Sequence, residues 1–189
     1  MELNDQIHIN APRPRVFAAL NDVDVLRQAI PGCESIEAIS PTEFSATVSA
    51  KIGPLKARFN GQVALADIVE NESYTLSGEG RGGPAGHAKV RSRVLLEDAG
   101  DGTLLHYDVK ADIGGKLAQL GGALVQKTAE KLAGEFFQKF EEIVSADADS
   151  TAGRTPPTPS SPRETAANGS WLWLAAGVGA LIVIAWLML

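Results

Sequence analysis

The apolar residues of this chain change period once, and that change dictates the architecture. From Phe44 to Val109 apolar or small side chains alternate with polar ones, the pattern of strands buried on one face. Phe44, Ala46, Val48, Ala50 and Ile52 form one such set, and Phe59, Val63 and Leu65 the next. Tyr74, Leu76, Gly78 and Gly80 follow, then Val90, Val94 and Leu96, then Leu105, Tyr107 and Val109. Gly53-Pro54 and Gly100-Asp101-Gly102 supply turns. From Lys116 to Val144 the spacing becomes three and four. Leu117, Leu120, Leu124, Val125, Leu132, Phe136, Phe140 and Ile143 make the stripe of one long amphipathic helix. Ahead of the strands, Leu3, Ile7 and Ile9 alternate as a strand. Pro12 and Pro14 open a short helix, and a second one near Val23 to Ile30 stops at Pro31-Gly32. An antiparallel sheet with one apolar face needs a cover, and the long helix is the element large enough to provide it. The expected fold class is α+β, an antiparallel sheet wrapped around a long C-terminal helix and followed by a single transmembrane helix.

That last element is expected at Trp171 to Leu189, a stretch without charge that contains all three tryptophans. As a helix it spans about 28 Å, close to the hydrocarbon core of a bilayer. Residues 145–170 are rich in Pro, Ser and Thr and poor in apolar residues, which reads as a flexible linker. The expected domains are therefore 1–144, a globular ligand-binding domain; 145–170, the linker; and 171–189, a membrane anchor. The N-terminus lacks an apolar signal segment, and Arg154 and Arg163 precede the span. Both features predict a domain at the cytoplasmic face of the membrane. Net charge is −6 and no Lys/Arg-rich run occurs, which argues against nucleic acid as a partner. The same acidity argues against electrostatic docking on anionic lipid.

Small residues are concentrated where sheet and helix should meet. Gly78, Gly80 and Gly82 share one parity, Ala46 and Ala50 flank Val48, and the helix carries Gly121, Gly122 and Gly134. Two readings follow: a close approach of helix to sheet with a dense core, or two separated layers enclosing an apolar cavity. Catalytic chemistry is missing from the pattern. His8, His87 and His106 fall on separate strands, and no His, Cys, Asp or Glu spacing suits a metal. Cys33 has no histidine near it in sequence and reads as a small buried hydrophobe. The glycine-rich run from Gly78 to Gly86 lacks the Lys-Ser/Thr ending of a phosphate loop. Glu79 and Arg81 share a strand face and read as an exposed ion pair.

Several segments together resemble the CoxG family of carbon monoxide dehydrogenase subunits, within the START-like (SRPBCC) helix-grip superfamily. They are Leu20-Asn21-Asp22, Ile30-Pro31-Gly32-Cys33-Glu34, Ile52-Gly53-Pro54, Phe59, Gly61, Tyr74, Gly78-Glu79-Gly80, Gly82-Gly83, Ala85-Gly86, Gly114 to Ala118 with Gly121, and Phe136-Phe137. His87 and Val90 depart from the family pattern. The resemblance implies a cavity and an accessory, non-catalytic role beside a molybdenum-containing carbon monoxide dehydrogenase-type enzyme. It also implies an apolar small-molecule ligand. A respiratory quinone, menaquinone or ubiquinone, is the expected one, with no covalent cofactor and no metal. The expected lining is Leu26, Ile30, Phe44, Val48, Phe59, Val63, Leu76, Gly80, Gly82, Val90, Tyr107, Leu120, Leu124 and Phe136, with Tyr107 offering the ring a hydrogen bond. The alternatives are a plain tether with a solid core, or an enzyme using Glu79, Arg81, His87 and Tyr107.

Overall fold

Seven strands pair in one antiparallel sheet, in the order β1-β7-β6-β5-β4-β3-β2. A computed structural model describes residues 1–151, and side chains as far as residue 146. Strand β1 (Glu2–Ile9) is followed by helices α1 (Arg13–Ala19) and α2 (Val23–Ala29). Strands β2 (Cys33–Ser40), β3 (Glu43–Ile52), β4 (Leu55–Val69), β5 (Ser73–Arg81), β6 (His87–Ala99) and β7 (Gly102–Gly114) then run as a meander. Helices α3 (Lys116–Gln119) and α4 (Gly122–Thr151) close the described chain.

Local chemistry explains most of these boundaries. Asp22 caps α2, its carboxylate accepting from the backbone N–H of Asp24 at 2.8 Å and of Val25 at 3.1 Å. On β3 the buried residues are Phe44, Ala46, Val48, Ala50 and Ile52, the parity expected from the sequence. In β2 the one buried apolar residue is Ile36, and two register shifts interrupt its pairing with β3. An irregular edge strand of that kind carries no alternation to read.

The sheet curls around α4, which buries Ala129, Ala133, Phe136, Phe137, Phe140 and Val144 against it. The expected helix from Lys116 to Val144 is two helices. Gly121, with φ +87°, breaks it between α3 and α4. A larger correction concerns the end of the fold class, a helix-grip domain followed by a single transmembrane helix. No helix among the described residues is long and apolar enough to cross a membrane. The longest of them, α4, is amphipathic, with Lys127, Lys131, Glu135 and Lys139 exposed opposite its buried stripe. The stretch 171–189 lies outside the described residues, as does the linker region beyond Thr151.

Candidate functional site

Adjacent strands bring alternate residues to one concave face. Register partners run Val48 to Phe59, Phe44 to Val63, Val63 to Gly78, and Gly78 to Val90. Leu26 and Ile30 close this face from α2, and Phe136 meets it from α4. Apart from the half-buried Gly78, all of these are buried, as are Leu76, Gly80, Gly82 and Tyr107. The expected lining residues therefore share one apolar interior, with two exceptions. Leu120 is half-buried, and Leu124 is 37% exposed at the start of α4.

The glycines behave differently on the two layers. On the sheet, a Cβ at Gly82 would stand 2.3 Å from the Phe59 ring, and one at Gly78 would stand 3.2 Å from a Val63 methyl. Neighbouring large side chains therefore occupy the space above these glycines. On the helix, Gly121, Gly122 and Gly134 are exposed, and a Cβ on any of them meets nothing within 4 Å. They do not face the sheet, so the small-residue contact expected from both sides exists on one side only.

Two tyrosines are buried in the interior beside the polar side chains of Asn21, Ser92 and Thr103. Tyr107 stacks on Phe137 at 5.6 Å between ring centroids. Burial, then the Asp5 and Glu130 carboxylates, push its phenol up to about 12. Tyr74 is 1% exposed and meets the Phe17 ring edge-on at 6.1 Å. Its hydroxyl has no hydrogen-bond partner among the described residues, and burial raises its pKa strongly. An unpartnered buried hydroxyl costs about 1–3 kcal/mol, so a ligand acceptor there would recover that energy. Sequence reasoning placed Tyr74 on the inner strand face but offered Tyr107 as the donor. A hydroxyl's lack of an acceptor is a tertiary property with no signal in spacing.

Of the four residues of the enzymatic alternative, three lie together and Tyr107 stands apart. Glu79, Arg81 and His87 project from the outer face of the sheet, and Tyr107 from the inner. The Arg81 guanidinium lies 3.0 Å from Glu79 and holds its carboxyl below the usual range. Glu79 and Lys89 border an outer-face groove of about 720 Å³, on the side away from α4. A cleft of about 260 Å³ opens beside the first turn of α4, lined by Met1, Ala111, Asp112, Ile113, Ala118, Gly122 and Val125. Cys33 is half-buried, and burial raises its pKa, against the lowering effect of Arg27. Among the described residues no group of three or more His, Cys, Asp or Glu side chains is placed to hold a metal ion.

Residues 6–145 match the family of carbon monoxide dehydrogenase subunits described as CoxG. The chain belongs to the CoxG family. No curated protein matches this CoxG-family chain. A conserved protein from Geobacillus kaustophilus is 27% identical, with a TM-score of 0.74 over 78% of this chain and 97% of that one. A protein from Thermus thermophilus is 18% identical, at 0.60 over 78% and 99% of the two chains. Ara h 8.0201 is 23% identical, at 0.55 over 77% and 98%. The fold is a helix grip, one antiparallel sheet wrapped around a long helix, shared with these structures.

Proposed function

We propose that this CoxG-family protein is a non-catalytic accessory protein of a molybdenum-containing carbon monoxide dehydrogenase-type enzyme. It carries an apolar ligand, a respiratory quinone such as menaquinone or ubiquinone, between that enzyme and the cytoplasmic face of the membrane. Family membership supports the accessory role. The uncharged apolar sequence 171–189 supports the membrane location. The observation that carries the ligand reading is the Tyr74 hydroxyl, buried in an apolar interior without a partner among the described residues. A quinone carbonyl would accept from it, while the ring and isoprenoid tail meet aromatic and aliphatic side chains. With Phe59 lying over Gly82, binding requires that ring to swing aside.

Organic extraction of the purified full chain, followed by mass spectrometry and by titration with menaquinone and ubiquinone, tests this reading. Bound isoprenoid quinone is expected, and Tyr74→Phe should weaken its binding about tenfold, the loss of one hydrogen bond. No extracted quinone and no saturable binding would sink it. The filled space over Gly78 and Gly82 favours a second reading, a tether with a solid core. Gly80→Leu separates the two, with circular dichroism and melting as the folding control. A carrier loses electron transfer with recruitment of the dehydrogenase intact; a tether loses neither while it remains folded.

A further inference from the structure

The meander sends alternate turns to opposite ends of the sheet, and charge follows the turns. One end holds the turns β2–β3, β4–β5 and β6–β7. Glu43, Asp67, Glu70, Glu72, Glu97, Asp98 and Asp101 are exposed there. The other end holds the β3–β4 hairpin, the end of β7, α3 and the start of α4. Residues 44–66 contain no Asp or Glu, and neither do residues 113–129. They carry Lys51, Lys56, Arg58, Lys116 and Lys127, all exposed; Arg58 pairs with Glu34 at 2.7 Å, and the four lysines have no ion-pair partner among the described residues. Lys51 and Lys56 are direct cross-strand partners, a like-charge pairing that is unfavourable unless something anionic meets it.

This basic end is also apolar. The two acid-free segments touch where Leu124 covers Gly53, a Cβ on which would stand 2.8 Å from a Leu124 methyl. Around that contact Pro54, Ala118, Ala123 and Leu124 are exposed, and Leu55 and Leu120 half-buried. Apolar side chains ringed by unpaired lysines are what an anionic bilayer surface recognises. The leucines enter the interfacial region, and each lysine near the surface gains attraction to acidic headgroups. The opposite end exposes Ile39, Ile68 and Val69, but its carboxylates would be repelled by the same surface.

We propose that the β3–β4 hairpin tip and the start of α4 form a docking face for anionic phospholipid. This rests on the membrane reading above and adds orientation to it: the domain lies with its basic end on the bilayer and its acidic end in the cytoplasm. The α4 cleft at Ala111 and Val125 belongs to the same end.

Spin labels test the orientation in the full chain, reconstituted in nanodiscs of phosphatidylcholine alone or mixed with phosphatidylglycerol. Pro54→Cys and Ile68→Cys are made in a Cys33→Ser background. In the anionic discs the label at 54 should be shielded from a water-soluble relaxant and that at 68 should not. Changing Lys51, Lys56, Lys116 and Lys127 to Gln should reduce the docked-to-free ratio about fivefold per lysine, with no loss of thermal stability. High salt should have the same effect. A label at 54 that is wet in both discs would overturn the proposal. So would one equally shielded in phosphatidylcholine, or covered only when the dehydrogenase is added, which would make this a protein interface. Failure of the chain to stay with either disc breaks the membrane reading itself. Retention with a wet label breaks the docking alone.

Discussion

The two ends of the sheet differ in charge, and a turn from each end differs in how closely its backbone is packed. At the basic end chain segments press together. A Cβ at Gly86 would stand 2.1 Å from the Gly114 carbonyl oxygen, and Gly86 has φ +122°. At the acidic end the tip of the β6–β7 turn stands free. Gly100 has φ +67°, and a Cβ there meets nothing within 4 Å. The connection from β5 to β6 is thus pinned against the end of β7, whereas the tip of the β6–β7 turn is open.

The sharpest way to break that contrast is a pair of alanine substitutions. Gly86→Ala should cost about 3 kcal/mol or more, from strain and collision together, whereas Gly100→Ala should cost about 1 kcal/mol, from backbone conformation alone. Denaturant midpoints at unchanged slope measure both, and equal costs would remove the distinction. The interior offers the next effect. Tyr74→Phe deletes a buried hydroxyl without a partner among the described residues and should stabilise the ligand-free protein by about 1–2 kcal/mol, while Tyr107→Phe should be close to neutral. Thermal melts decide between these outcomes and an equal response.

Alkaline titration probes the same two side chains, the chain's complement of tyrosine. Both phenols are raised in the folded state above the ordinary value near 10, Tyr107 to about 12. The folded state therefore holds these protons more tightly than the unfolded chain does. Their contribution to stability is intact below pH 10 and is lost as pH rises toward 12. Tyrosinate absorbance should appear together with loss of circular dichroism. Ionisation at pH 10 in a folded protein would contradict the burial. The smallest effect belongs to the surface. Lys51→Gln relieves the pairing with Lys56 and should add a few tenths of a kcal/mol at low salt, a gain that vanishes as salt rises.

Much of this architecture was legible because a strand's period of two and a helix's stripe are local properties. Phe44 to Ile52 could be assigned to an inner face from the sequence, and they are buried there. So could Phe136 and Phe140. Strand β2 was not legible, because an irregular edge strand with Ile36 alone buried shows no alternation. The Gly121 break was hidden because the apolar stripe continues across it. Leu124 matched the helical stripe, but α4 begins beyond the sheet's cover, so a residue of correct phase is exposed.

Residue pattern was enough for the order of elements, the parity of most strands, the helix grip and the family. These follow from periods and motifs that neighbouring residues share. Which groups lack a partner among the described residues is settled by folding: the Tyr74 hydroxyl in the interior, and the four lysines at one end. So is the distribution of charge. A net charge of −6 reads as an acidic protein, yet the meander gathers acids from alternate turns at one end and leaves the other basic. Summed charge is a property of composition. Its separation into two poles depends on which turns a fold brings together, and antiparallel pairing fixes that.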